Sequence, residues 1–234
     1  SPDALAADLK EAGFDLVSTA NNHSLDQGTR GVFRTLDVLD EVGLAHVGTC
    51  RSQEELDDSQ GIYVAEIDDI SIAFLCYTYG LNGFRLPEGE EYAVNVYNLD
   101  YFTTLSQPDY DRLAADLTEA RALDTDLIAV LIHWGTEYQD APNQYQTSLA
   151  QFLAEQGADL ILGNHPHVLQ PYEFLSVTGW DGEPRTSFVC YSLGNFLSNQ
   201  QELETRTTAL LELELTKDPA AGDTRVTAVG YEPY

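Results

Sequence analysis

Blocks of apolar and polar positions in the first part of the chain predict a helix, a strand, a second helix and a second strand, in that order. Apolar residues at helical spacing run from Leu5 to Ala12, and a short apolar run at 14–18 is typical of a buried strand. Apolar positions at 32–42 lie on one helical face, and Gly43 ends that helix before a strand at 44–47. This alternation favours a sheet with helices packed on its faces.

The rest of the chain becomes richer in strands towards its end. Strands are predicted at 61–67 and 70–77 around a tight Asp68-Asp69 turn, and the aperiodic stretch 78–107 is predicted to be a long loop able to lie over a site. Helices are predicted at 109–123 and 143–156, and strands at 126–132, 159–162, 173–177, 187–192, 207–215 and 225–231. Since no linker divides the chain, we predict a single α/β domain over 1–234.

The composition is that of a folded protein, with 43% apolar residues. No apolar run approaches the roughly 18 residues that a membrane span needs. The chain has no methionine and begins without a signal-peptide pattern, so we expect its first residues to be interior to a longer protein. Three cysteines cannot all pair, and Cys76 and Cys190 lie in apolar runs; we expect no catalytic role for Cys50, Cys76 or Cys190.

The chain is strongly acidic, with 39 Asp and Glu against 11 Lys and Arg and a net charge of -28. This charge disfavours nucleic-acid binding, which depends on cationic contacts to phosphates. Molar salt shortens the Debye length to about 3 Å and relieves self-repulsion of the folded state. We therefore predict a salt-adapted, halophilic source and a melting temperature that rises towards molar salt; the alternative is an ordinary acidic surface.

Histidines recur at the ends of the predicted strands. A pattern of Asp-Leu, an apolar strand and a polar ending with histidine occurs at 15–23, 126–135 and 159–167. Because the carboxyl ends of parallel strands open onto one crevice, we expect the histidines of these segments to converge. His46 departs from the pattern and is predicted to be structural. The converging set is His23, His133, His165 and His167.

Imidazoles with nearby asparagines and carboxylates, and without thiolates, suit a first-row metal such as Zn, Mn, Fe or Ni. Such mixed sites commonly support hydrolysis, because the ion acidifies bound water and neutralises charge on a phosphoryl or carbonyl group. His165-Pro166-His167 is the most specific element, since proline fixes the local backbone and alternation can aim both rings into one crevice. The alternative for a single strand-end histidine is a polar residue satisfied by hydrogen bonds.

Several residues beside these histidines have two interpretations each. Glu137 either orients His133 through its second ring nitrogen or is a solvated acid. Trp134 either lines the cleft or is a loop aromatic, and Asn195 either lines the same crevice or belongs to a turn. Two further asparagines are predicted to line the cleft, Asn21 and Asn164.

Asp26 follows His23 closely and also has two interpretations. It either caps the helix that begins near Thr29, which we favour, or holds His23 protonated as a general acid. In the second case both residues belong to the catalytic group.

Four segments resemble a known family, in the order in which that family carries them. They are Gly13-Phe14-Asp15 with Ala20-Asn21-Asn22-His23-Ser24-Leu25-Asp26-Gln27-Gly28, then His133-Trp134-Gly135-Thr136-Glu137-Tyr138, the run 157–170 around Asn164-His165-Pro166-His167, and Tyr191-Ser192-Leu193-Gly194-Asn195-Phe196. Here the chain resembles the CapA family of poly-γ-glutamate capsule synthesis proteins, whose fold is similar to that of calcineurin-like metallophosphoesterases. The resemblance implies a metallophosphoesterase-like β-sandwich flanked by helices (αββα), with a dinuclear-type site at the strand ends.

The resemblance also implies roles for single residues. Asn22, His133 and His165 match the ligands of one metal ion, and His167 matches a ligand of the other. His23 matches the catalytic histidine of the family.

The chain departs from the family pattern in one respect. The family begins with a strand that carries a Gly-Asp motif and continues to an Asn-Leu-Glu segment, and neither segment is present here. The carboxylates that complete the first metal and bridge the pair are then missing, so we expect at most one divalent ion (Mn, Zn or Fe), weakly held or depleted. The resemblance also implies a cell-surface or extracellular protein, membrane-associated through the missing N-terminal segment.

The leading hypothesis is a CapA-like protein of poly-γ-glutamate capsule biosynthesis or export with a metal-dependent hydrolase-type site. Its partners are then the anionic polymer and membrane proteins of capsule synthesis. A second hypothesis is a metal-dependent phosphoesterase that acts on a nucleotide or another small phosphoester. A third is a non-catalytic, polymer-binding subunit of a capsule assembly complex.

Overall fold

A computed structural model describes residues 2–218 and 222–234. The chain forms two compact units: unit 1 comprises the residues up to Tyr63 together with Leu75–Arg112, and unit 2 comprises Val64–Phe74 together with Leu113–Tyr234. The prediction of a single domain stays a prediction. Within the described residues, no helix is both long and apolar enough to span a membrane.

Unit 1 contains the predicted succession of helices and strands. Its elements are α1 (Ala4–Glu11), β1 (Leu16–Ser18), α2 (Gly28–Val42), β2 (Ala45–Val47) and α3 (Gln53–Ser59), followed by a 3-10 turn at Glu91–Ala93. β1 and β2 pair in parallel. Leu36 and Leu39 of α2 pack with Ala6 of α1 and with Leu44. Gly43 ends α2 as predicted, in the left-handed backbone region with φ 70°.

The short helix α3 was not predicted, because no apolar period marks it and none of its residues is buried. Its start is fixed by a cap, in which Ser52 Oγ accepts a hydrogen bond of 3.1 Å from Glu55 N. The sequence therefore contained a signal for α3 in the spacing of a serine and a glutamate three residues later.

Unit 2 contains most residues of a six-stranded mixed sheet with the order β3-β4-β5-β6-β8-β7. The strands are β3 (Tyr63–Ile67), β4 (Ile70–Thr78), β5 (Leu127–His133), β6 (Leu160–Asn164), β7 (Leu169–Thr178) and β8 (Pro184–Leu193). β6 is parallel to β5 and to β8, whereas β7 is antiparallel to β8. The helices are α4 (Tyr110–Ala122), α5 (Gln144–Glu155) and α6 (Leu203–Arg206), and α5 packs against β6, β7 and β8.

A hairpin adds a second layer to unit 2. Its strands β9 (Ala209–Asp218) and β10 (Asp223–Pro233) are antiparallel. Apolar side chains of both strands pack on a buried cluster of the sheet that includes Leu160 and Phe188. The packing of one sheet on another, with helices around the central sheet, confirms the predicted α/β sandwich fold.

All three cysteines are buried. Burial raises the pKa of the Cys50 thiol to about 11 and the pKa values of Cys76 and Cys190 to about 12. These thiols stay protonated at neutral pH, and a protonated thiol is a poor nucleophile. Their burial agrees with the structural role predicted for them.

Candidate metal centre

Two parallel strands of unit 2 bring three histidines to one edge of the sheet. β5 and β6 pair in parallel with His133 opposite Asn164, and each of these residues ends its strand. The ring centroids of His133 and His165 lie 4.8 Å apart, and those of His165 and His167 lie 6.0 Å apart. Three of the four predicted histidines therefore gather beyond the carboxyl ends of neighbouring strands.

The segment that follows β6 has an unusual backbone. His165 has φ 109° and His167 has φ 63°, a left-handed region that costs a residue with a side chain about 1–3 kcal/mol. Asn164 Oδ1 accepts a hydrogen bond of 2.8 Å from His165 N and so supports the bend. Asn164 was predicted to line the cleft, and its side chain accepts this hydrogen bond from the backbone of the turn.

Glu137 joins the histidines as a second kind of donor. One ligand atom each from Glu137, His165 and His167 lies within 4.8 Å of the others, and Glu137 Oε1 lies 3.8 Å from His167 Nε2. The prediction that Glu137 orients His133 stays a prediction, and the carboxylate groups with the rings of His165 and His167.

The donor set fits a first-row divalent ion. Metal bonds to imidazole nitrogen and carboxylate oxygen are about 2.0–2.2 Å long, so two ligands of one ion lie at most about 4.4 Å apart. The group of Glu137, His165 and His167 lies within 4.8 Å, and small side-chain adjustments bring it into that range. His133, whose ring lies tilted beside that of His165, provides a further imidazole at the same edge.

Asn195 fixes the ring of His167. Asn195 Oδ1 lies 2.7 Å from His167 Nδ1, and Asn195 Nδ2 donates to Thr205 O at 2.9 Å. The second bond sets the amide orientation, so its oxygen faces the ring and accepts from Nδ1–H. The lone pair of His167 is then on Nε2, the nitrogen that faces Glu137. Tyr138 stacks on the same ring, with 5.8 Å between centroids.

Trp134 lies directly after β5 and packs in the core, and the prediction that it lines the cleft stays a prediction. Its side chain is fully buried, and Nε1 donates a hydrogen bond of 2.9 Å to Tyr191 O. The indole also lies directly against β6, because a Cβ at Gly163 would be 2.3 Å from Trp134 Nε1. Trp134 therefore buttresses the strand end that carries the histidines.

The remaining predicted residues lie in unit 1, in the loop between β1 and α2. His23 Nδ1 lies 2.9 Å from Asp26 Oδ2, with both side chains exposed, and Asn21 Oδ1 accepts from His23 N at 2.9 Å. The N-cap residue of α2 is Gln27, so the favoured capping role of Asp26 is wrong and its carboxylate pairs with His23. The convergence of this group with the histidines of unit 2 stays a prediction.

Asn82 belongs to the same loop cluster and was missed by the sequence patterns. Its Oδ1 accepts a hydrogen bond of 2.9 Å from Asn22 Nδ2, and its Nδ2 lies 3.3 Å from His23 Nδ1. This contact orients the Asn22 amide with Oδ1 turned away from Asn82, the orientation that an oxygen ligand needs. The only sequence signal was the aperiodic 78–107 loop, which contains Asn82.

Comparison with known proteins gives a consistent picture. The family model described as "Bacterial capsule synthesis protein PGA_cap" matches residues 1–200. The chain is 29% identical to the "Capsule biosynthesis protein CapA" of Bacillus anthracis over 91% of its own length and 47% of that protein. It is 31% identical to the "PGA biosynthesis protein CapA" of Bacillus subtilis strain 168 over 90% of its own length and 49% of that protein. It thus spans about half the length of the curated relatives that it matches.

A solved structure shares the fold at low sequence identity. It is a Staphylococcus aureus protein provisionally described as a 5'-nucleotidase and crystallised with alpha-ketoglutarate, with a TM-score of 0.60 and 16% identity. The match covers 100% of this chain and 40% of that protein. At this identity the similarity concerns the fold alone.

Proposed function

Because this chain belongs to the PGA_cap family of bacterial capsule synthesis proteins, we propose that it acts on the anionic poly-γ-glutamate chain of a capsule through a metal-dependent hydrolytic site. The observation that supports this most directly is the group of Glu137, His165 and His167 at the end of β6. The polymer is suggested by the similarity to the PGA biosynthesis protein CapA of Bacillus subtilis.

Within this proposal, each residue has a defined task. Glu137, His165 and His167 hold a divalent ion of the Zn, Mn or Fe type, with His133 beside them. Bound there, the ion supplies Lewis-acid polarisation of the carbonyl or phosphoryl group under attack. Asn195 orients the ring of His167 with Nε2 towards Glu137. His23 pairs with Asp26 within unit 1, and a catalytic role for this pair stays a prediction.

The charge of the protein gives the cation a second task. At a net charge of -28 the chain repels a polyanion. A bound divalent ion would make the electrostatic potential positive at the point where the substrate binds. Binding of the polymer is therefore expected to depend on metal, independently of any bond cleavage.

The proposal is tested by assaying the purified protein with Mn²⁺ or Zn²⁺ against poly-γ-glutamate and against a generic phosphodiester. We expect metal-dependent shortening of the polymer by wild-type protein and loss of at least about 100-fold in the His165→Ala variant, since the variant lacks a ligand. His46→Ala is the matched control, because His46 bonds to Asp40 in unit 1 and is assigned no catalytic task. Equal activity of wild type and His165→Ala would contradict the proposal.

The same assay distinguishes the other two functions. Turnover of the phosphodiester alone would favour the phosphoesterase, which the fold similarity to the Staphylococcus aureus protein supports. Polymer binding without turnover of either substrate would favour the non-catalytic subunit.

A further inference from the structure

Two glutamine side chains of unit 2 form a buried chain of amides, which we call the amide relay. Gln146 lies in the first turn of α5 and is 0% exposed, and Gln170 lies on β7 and is 2% exposed. Gln146 Nε2 donates a hydrogen bond of 2.8 Å to Gln170 Oε1. Neither residue belongs to the donor set described above.

The relay ends on the segment that carries Glu137, residues 135–141, which we call the Glu137 loop. Gln170 Nε2 donates to the backbone oxygens of Gln139 at 2.8 Å and Ala141 at 3.2 Å. At the other end, Gln146 Oε1 accepts from Asn143 N at 3.0 Å in the capping box of α5. A continuous series of hydrogen bonds thus connects the start of α5 to the Glu137 loop.

The need to fill space in the core does not by itself explain why two glutamines are buried here. A buried amide loses its hydration, and an apolar side chain of similar volume fills the same space without that penalty. The loop also lies directly on the relay, because Gly135 has φ 89° and a Cβ there would be 2.7 Å from Gln146 Cδ. The relay therefore determines where the loop backbone runs.

The far side of the Glu137 loop is attached to the histidine segment. Tyr138 N donates a hydrogen bond of 2.8 Å to Pro166 O, and the Tyr138 ring stacks on His167. The loop is thus held between the relay and the residues 165–167. A displacement on the relay side changes the distance between the Glu137 carboxylate and the two imidazoles.

We propose that the amide relay is a positioning device that keeps the Glu137 carboxylate within ligand distance of His165 and His167. Gln146 and Gln170 are positioning residues, since they act through the backbone of the Glu137 loop. The inference rests on the proposed function in one respect, because it treats Glu137 as a metal ligand.

Gln170→Met tests the relay, since methionine keeps the length of glutamine and removes its hydrogen bonds. We expect the affinity for Mn²⁺ or Zn²⁺, measured by isothermal titration calorimetry, to fall roughly 10–100-fold, as for other residues that hold a metal ligand in place. Amide hydrogen exchange of residues 136–141 should accelerate in the metal-free protein. Gln151→Met is the matched control, because Gln151 lies on α5 and bonds to Glu155 at the surface.

A second variant, Gln170→Glu, keeps the test valid if the methionine variant unfolds. Its ionised carboxylate still accepts from Gln146 but cannot donate to the carbonyls of Gln139 and Ala141, so the same loss of affinity is expected at a pH high enough to ionise this buried group. Unchanged affinity and unchanged exchange in a folded Gln170 variant overturn the inference, as does an equal loss in Gln151→Met. If the wild type binds neither ion, the proposed function fails, and the exchange measurement alone then supports or overturns the loop-holding role.

Discussion

Two histidine-bearing loops, one in each unit, differ in the side chain that faces ring nitrogen Nδ1. In unit 1, His23 Nδ1 lies 2.9 Å from the Asp26 carboxylate, and the two side chains are 63% and 44% exposed. In unit 2, His167 Nδ1 lies 2.7 Å from the amide oxygen of Asn195, and its neighbour His165 is only 4% exposed. Both loops follow a strand, so their place in the chain does not account for the difference.

The partner determines what each imidazole can do. A carboxylate stabilises the protonated ring, which suits proton donation. An amide oxygen accepts from Nδ1–H of the neutral ring and leaves the lone pair on Nε2, which suits metal binding. The comparison therefore assigns different chemistry to two histidines that the sequence presents in the same context.

The largest expected effect comes from removing each imidazole separately. His23→Ala should lower kcat for the best substrate by roughly 10²–10⁴-fold, the usual contribution of a general acid, and change metal affinity by no more than about twofold. His165→Ala should abolish both activity and metal binding. For both variants, turnover assays measure kcat and calorimetry measures the metal affinity. If His23→Ala weakens metal binding as much as His165→Ala does, the contrast between the two loops is wrong.

A smaller effect is expected from the partner of His167. Asn195→Leu removes the acceptor of Nδ1–H, so metal affinity should fall roughly 10–100-fold by calorimetry. Asn199→Leu is the control, because Asn199 is an exposed asparagine of the same segment. Equal affinities of the Asn195→Leu protein and wild type would show that Asn195 does not set the tautomer.

The fold was largely predictable because local patterns carried it. Apolar periods located the helix now seen at Gly28–Val42 and the strand at Leu127–His133, and alternation of helix with strand indicated the sheet. Parallel pairing of β5 and β6 then explains why histidines at the ends of separate segments meet. Helix α3 was not predicted, because the sequence marks it by a capping residue at its start and by no apolar periodicity along its length.

The supporting residues of the site were not predictable, because their contacts join distant parts of the chain. Gln146 and Gln170 look like ordinary polar residues until β7 brings them together. Asn82 lies in a segment without periodicity, and Trp134 shows its burial only once β8 passes beside it. Glu137 was noticed beside His133, but its approach to His167 depends on the folded loop and could not be predicted from neighbouring positions in the sequence.

The smallest predicted effect is on thermal stability at acid pH. It sets the pH range in which the chemistry of the two loops can be compared in the folded protein. Lys217 Nζ and the Ser71 amide hydrogen-bond to Asp126 and lower its pKa from 3.8 to about 2 in the folded state. This carboxylate therefore stabilises unit 2 above about pH 4, and the stabilisation disappears as pH falls through about 2. Thermal melts of wild type should show a steeper loss of Tm over this range than Asp126→Asn, whereas the exposed-surface control Asp8→Asn should follow wild type. Parallel curves for wild type and Asp126→Asn would show that Asp126 does not fasten the hairpin to the sheet.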